Sequence, residues 1–367
     1  MTSQLDFARP ADPAGATSAN PVATAVSDDA LLRAIVDVRA AFARAHAKVT
    51  RPELVAEAIG DATELERLDL PALSAAVLDA GNPAAALVHA AHRIGGRLDR
   101  SAAVRDIFDS GTLLVAQRAV PIIRQEVRRA ECAVDQLAQP GLAIGRWLRV
   151  LNDADRRLGR FMADGPPVAL DGLAGDMVGG MVDGIGPCRT DEPAPEGTHT
   201  LAGFLEFPAT DAPASPPAER GTHTLSGHLP HLPDGDVRAC LDELAAAFAA
   251  ESGLAAPSPP WQTPHGRLAD LAVALTLAAS ALQKMADAAW STTASPAPSA
   301  RARALAARVR RTAGRVPAVG ADLLRCVAAD DERPPDTWHA RWRLLRDCLL
   351  LSGSAVHDGR QLARDLS

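Results

Sequence analysis

Tyrosine is absent from this 367-residue chain, and aromatic residues together make up only 3% of it. Its 47% of hydrophobic residues are therefore mostly Ala, Leu and Val. Such residues let helices approach closely, which points to an α-rich fold rather than a sandwich or barrel. Lysine is almost missing as well: Lys48 and Lys284 stand alone, and the remaining basic charge is arginine. That removes most candidates for a catalytic lysine. Cysteine is sparse and unpaired in pattern, with Cys132, Cys188, Cys240, Cys326 and Cys348 showing no CxxC spacing. A disulfide framework and a cysteine zinc site are excluded on that count, and a reducing, cytoplasmic setting is expected. No basic n-region followed by an apolar h-region opens the chain, so a secretory signal is not expected. No uninterrupted apolar run reaches the roughly 20 residues of a membrane span. The net charge of -7 gives no global reason to expect nucleic-acid binding.

What is present is helical periodicity interrupted by Pro and Gly. Residues 1–26 are rich in Ala, Pro, Ser and Thr without apolar spacing, and read as a disordered lead-in. Ser27 with Asp28 and Asp29 is a helix start, followed by Leu31, Ile35, Val38 and Phe42 at helical spacing. Thr50-Arg51-Pro52-Glu53 and Asp69-Leu70-Pro71 open two more helices, and Gly81-Asn82-Pro83 breaks the chain before another. Long helical patterns are expected from Ala102 to about Gln139, with Pro121 inside, and from Ile144 to Phe161. Two more are expected over Arg267–Trp290 and about Ser299–Val316. Between them, 165–236 dissolves into Gly, Pro, Asp and His, with a short repeat at 197–205 and 221–229. These patterns predict an all-α fold with a lead-in at 1–26 and a small helical N-terminal domain at 27–98. A long-helix central bundle at 99–330 carries the insertion at about 165–236, and a short helical C-terminal domain fills 331–367.

Two constellations invite a functional reading and have a simpler one. His199, His223, His228 and His231 in the insertion have no supporting Cys or carboxylate spacing, so no metal site is assigned. Arg301, Arg308, Arg311 and Arg315 share one face of a basic helix. A solvated or intersubunit face is the usual meaning of such a pattern.

Pro259-Pro260-Trp261-Gln262-Thr263 leads into Arg267-Leu268-Ala269-Asp270-Leu271. Glu332-Arg333 precedes Trp338-His339-Ala340-Arg341-Trp342. Together these segments resemble the 3-carboxy-cis,cis-muconate cycloisomerases, a branch of the fumarase/aspartase superfamily. The resemblance implies lactonising cycloisomerisation of a polycarboxylate without a cofactor, within a homotetramer. Such chemistry takes a proton beside a carboxylate and holds the resulting dianion on hydrogen-bond donors.

Three segments supply that site in the family. For the first, Asp99-Arg-Ser-Ala-Ala-Val-Arg-Asp-Ile-Phe-Asp-Ser110 keeps Asp106 and Asp109 and has Ser110 for Thr, but Ala103-Val104 replaces a Thr-Ser pair. The second segment is read as deleted: the stretch from Gln139 to Leu148 matches either its opening or a Gly-Trp-Leu further downstream, and Asp153-Ala-Asp-Arg-Arg-Leu158 favours the downstream match, which leaves Arg146 a surface or interface residue. For the third, Trp290-Ser-Thr-Thr-Ala-Ser-Pro-Ala-Pro-Ser299 stands where the family has a Gly-Ser-Ser-x-x-Met-Pro-x-Lys-x-Asn loop. Arg267, Asp106 and Ser110 are the substrate-binding candidates that the resemblance implies, and Ser295 and His339 are the candidate bases. Two readings stay open: a divergent isomerase or lyase acting on a polycarboxylate, and a non-catalytic homologue. The second would be a pseudoenzyme serving as structural or regulatory partner in a hetero-oligomer with an intact paralogue. Neither reading calls for nucleic acid or a membrane.

Overall fold

The computed structural model of the chain describes residues 20–50, 104–137, 143–169, 235–257, 265–291, 298–328 and 338–367. The helices expected from Thr50 and Asp69, the break at Gly81 and the repeat at 197–205 and 221–229 lie outside the described residues. Among those described there are eight helices: α1 (Asp28–Thr50), α2 (Val104–Asp135), α3 (Ile144–Asp164), α4 (Gly235–Ser252), α5 (His265–Ser291), α6 (Ala300–Ala313), α7 (Val316–Ala328) and α8 (Trp338–Leu366). The one β feature among them is an isolated parallel bridge between Pro167 and Ala255. The fold is all-α, as composition and periodicity predict.

Local chemistry accounts for the helix ends. Ser27 Oγ accepts the Ala30 amide at 3.1 Å, and Asp28 and Asp29 sit in the first turn of α1, where carboxylates favour the helix dipole. Ser299 Oγ caps α6 by accepting the Ala302 amide at 3.0 Å. Pro121 lies inside α2 without ending it. Its ring faces solvent, so the missing hydrogen bond falls where water can satisfy the freed carbonyl. The helix expected from about Ser299 to Val316 is α6, which ends at Ala313; a turn at Gly314 and Arg315 then leads into α7.

The central element is α5, which packs against α3, α6, α7 and α8. Leu268, Leu271, Leu275, Leu282 and several alanines are buried around most of its circumference. Its stretch Gly266–Ser291 is long and apolar enough to cross a membrane, yet more than half of its most apolar part is buried by the other helices. A helix that is hydrophobic nearly all round belongs in the middle of a core.

Salt bridges fix the directions of the helices. α3 runs antiparallel to α2, since Arg124 meets Asp155 at 2.8 Å and Ser110 meets Ala169 at 3.0 Å. α8 runs parallel to α2, pairing Asp109 with Arg341 near their starts and Glu126 with Arg360 further along. α6 lies antiparallel to α8 through Arg308–Asp358 and Arg301–Asp365.

Two boundary expectations change. The lead-in to residue 26 does not hold over its described part. Val22 and Val26 are fully buried, and Asn20 Nδ2 donates to the Leu350 carbonyl at 3.1 Å and to Ser354 Oγ at 2.9 Å. The apolar pair is too short to give a helical period, so sequence reading passed it over. α1 and α8, expected in separate terminal domains, share one continuous core cluster with the central helices. The basic face of α6 is solvated at Arg301, Arg311 and Arg315, which are exposed, while Arg308 is half-buried and pairs with Asp358 of α8.

Candidate active-site segments

The starts of α2, α5 and α8 and the end of α3 gather at one end of the bundle. Arg341 Nη1 lies 3.1 Å from Asp109 Oδ2, and both side chains are at most 3% exposed. Next to Asp109, Ser110 is fully buried and its Oγ accepts the amide of Ala169 at 3.0 Å. The chain reaches Ala169 through Gly165, whose φ of 65° favours glycine. The strand-like stretch that follows is held by Val168 N–H to the Ala255 carbonyl at 3.0 Å and Ala255 N–H to the Pro166 carbonyl at 2.9 Å.

Arg267, in the first turn of α5, is 37% exposed and pairs at 2.7 Å with Asp164, itself 48% exposed. It is an accessible cation at a position the family resemblance matches. Asp106 stands in the first turn of α2, and His339 is the second residue of α8. Their side chains, and Ser295 with its neighbours 292–297, lie outside the described residues.

The opposite end carries the other segments. Arg146 opens α3 on an exposed turn. Ser291 ends α5, its hydroxyl donating to the Asp287 and Ala288 carbonyls at 2.8 and 3.3 Å, and Ser299 is committed to capping α6. A 32-residue helix such as α2 separates the two ends by about 48 Å. Asp106, Ser110, Arg267 and His339 therefore share one end of the fold. Arg146, Ser291 and Ser299 occupy the other.

Sequence reasoning did not anticipate the partner of Arg341. The signal was available: an arginine stands where the resembling family has glutamate, and a buried cation requires an anion. Asp109, retained nearby on α2, supplies it. A second polar seam lies further along the same interface. There the 4%-exposed Glu126 meets Arg129 Nη1 at 2.6 Å, Arg360 Nε at 3.0 Å and His357 Nδ1 at 3.5 Å. Among the described residues no group of three or more His, Cys, Asp or Glu could hold a metal ion. The four histidines of the insertion lie outside them.

No family model matches the chain. It is 31% identical over 393 aligned residues to a nitrosuccinate lyase of Streptomyces davaonensis, covering 95% of this chain and 72% of that protein. A 3-carboxy-cis,cis-muconate cycloisomerase of Pseudomonas aeruginosa is 27% identical over 92% of this chain and 71% of its own. Among solved structures, the β-carboxy-cis,cis-muconate cycloisomerase of Acinetobacter calcoaceticus superposes with a TM-score of 0.62 at 20% identity, covering 94% of this chain and 74% of that one. The 3-carboxy-cis,cis-muconate lactonizing enzyme of Pseudomonas putida gives 0.61 at 21% identity, covering 98% and 76%. At these identities the structures speak for the fold, while the lyase relative carries the lineage. This chain belongs to the fumarase/aspartase lyase superfamily, close to the carboxymuconate cycloisomerases and nitrosuccinate lyase.

Proposed function

We propose that this chain acts on a succinate- or muconate-type polycarboxylate, by proton removal beside a carboxylate with cleavage or formation of a bond at the β position. The observation that carries the reading is Arg267. Its guanidinium is exposed at the end of the bundle where three helices begin, and helix starts favour anions. The ion pair with Asp164 is exposed, a class worth only about 0–1 kcal/mol. A substrate carboxylate can replace the Asp164 carboxylate at little net cost and bind the guanidinium through both nitrogens. Both the nitrosuccinate lyase and the cycloisomerases are named for polycarboxylates, which is the ligand class such an arginine suits.

In this reading Asp106 and Ser110 mark the segment beside the bound carboxylate, and Ser295 and His339 are the candidate bases. With Ser295 as the base, the base and the binding arginine would come from different copies of the chain, because Ser295 follows the far end of α5; His339 would act from the same end as Arg267. A homotetramer of the kind that the resemblance implies supplies that second copy.

The non-catalytic reading, as a partner of an intact paralogue, is favoured by one specific observation. Asp109, Ser110 and Arg341 are at most 3% exposed, so in a single copy no ligand reaches them. One experiment separates the two. Purified chain at high concentration is given 3-carboxy-cis,cis-muconate and, separately, nitrosuccinate, and loss of substrate is followed by ultraviolet absorbance. Turnover of either, abolished in Arg267→Ala, supports the enzyme. No turnover of either by folded, monodisperse protein retires these two substrates and favours the partner role.

A further inference from the structure

The outer face of α3 carries Arg146, Arg149, Arg156, Arg157 and Arg160 against a single Asp153. Four of these arginines are exposed, and Arg157 is half-buried. Positions 146, 149, 153, 156 and 160 recur at three- and four-residue steps, which places them in one stripe along about 21 Å of helix. Asp153 engages Arg157 at 3.0 Å and Arg156 at 3.4 Å, and Arg149 turns back to the Gly145 carbonyl at 3.2 Å. Arg146 and Arg160 have no ion pair among the described residues. The other acids of α3 face elsewhere: Asp155 is drawn inward by Arg124 and Arg128, and Asp164 pairs with Arg267. The stripe is thus an uncompensated cationic ridge on a chain whose net charge is -7.

Like charges three and four apart weaken a helix. α3 nevertheless holds through its other face, where Trp147, Leu151, Ala154, Leu158 and Phe161 are buried. We propose that this ridge is a docking surface for an acidic helix of a different protein. Charge complementarity sets the sign of the occupant, and the length of the ridge sets its size at about four turns. Two copies of this chain cannot pair symmetrically through it, because arginine would meet arginine. A nucleic acid fits poorly: it would overrun the ridge onto exposed Asp135 and Asp164 at its two ends and onto a chain of net negative charge.

The test is fluorescence anisotropy on the full chain at physiological salt. The probes are an alanine-based helical peptide of about 15 residues with a glutamate stripe at the same spacing, and a short DNA duplex. The double variant Arg149→Glu/Arg156→Glu is compared with Arg303→Glu/Arg311→Glu, which makes the same charge change at exposed positions of α6. The expected result is peptide binding that weakens at least about tenfold in the α3 variant and is nearly unchanged in the α6 variant. Equal weakening in both variants, tighter binding of the duplex than of the peptide, or no peptide binding by wild type would each overturn the proposal. Melting of both variants by circular dichroism, expected to match wild type, excludes unfolding as the cause.

Discussion

The α2–α8 seam and the α3–α5 corner are built from the same two residue types and behave oppositely. In the seam, Asp109 and Arg341 meet with almost no exposure. At the corner, Asp164 and Arg267 meet at a similar distance, with more than a third of each side chain in water. Burial, not distance, separates them. A pair removed from water has lost its hydration and depends on its partner, whereas a hydrated pair can exchange one carboxylate for another. The seam therefore reads as structure, and the corner as a place where a ligand can enter.

The largest effect should come from Arg341→Ala, which leaves Asp109 buried without its cation. A loss of about 3–5 kcal/mol is expected in urea denaturation. Replacing both partners by apolar residues, as in Asp109→Leu/Arg341→Met, should recover most of that loss. Equal destabilisation by the double change would mean that the pair itself contributes net stability.

Next comes the strap formed by residues 20–27 on α8. A Cβ at Gly353 would lie 2.5 Å from Val22 Cγ2 and 3.1 Å from Asn20 Oδ1. Gly353→Ala should destabilise by about 1–3 kcal/mol through overpacking, with partial relief in a Val22→Ala background. Cys348 on α8 provides the readout. Burial pushes its thiol up to about 12, so in wild type it should resist alkylation at pH 8 while the exposed Cys132 reacts. Faster labelling of Cys348 in Gly353→Ala would report loosening of the strap.

A smaller effect is expected where α1 meets α4. Hydrogen bonds from Lys48 and then Arg44 hold the Glu251 carboxyl below its ordinary value. A depressed folded value stabilises above the unfolded carboxyl range, and that contribution is lost as pH falls through the folded value. Amide protection in α1 and α4, taken relative to the intrinsic exchange rate at each pH, should therefore fall below about pH 4, and Glu251→Gln should remove most of that acid step. If exchange in these helices shows no step, the three side chains are not coupled in solution. Smallest of all, Arg267→Ala should change stability by under about 1 kcal/mol while abolishing any turnover. A stability loss of the Arg341 class would erase the contrast between seam and corner.

Much of the fold was legible because helical period, caps and breakers are local. Ser27 with two aspartates opens α1 within one residue of expectation, and Pro121 does not end α2 because its ring faces water. α4 escaped notice since its alanine-rich run has no strong apolar face. The strap at Asn20–Val26 was missed because two valines become core only when α8 lies beneath them. The candidate segments around Arg267 and Trp338 were legible as a family resemblance, but which end of the bundle Arg267 and Arg341 occupy, and how buried each is, was not.

The sequence by itself determined that the chain is helical, where most of its helices begin, and which superfamily its C-terminal motifs resemble. These follow from neighbours a few residues apart, where propensity and spacing act directly. Only the tertiary structure decided that Arg341 is a buried partner of Asp109, that Arg267 stays in reach of solvent, and that α3 turns its arginines outward. Each of these depends on which helix lies alongside and how much water remains between, and residues far apart in the chain, 103 positions for Asp164 and Arg267, set both.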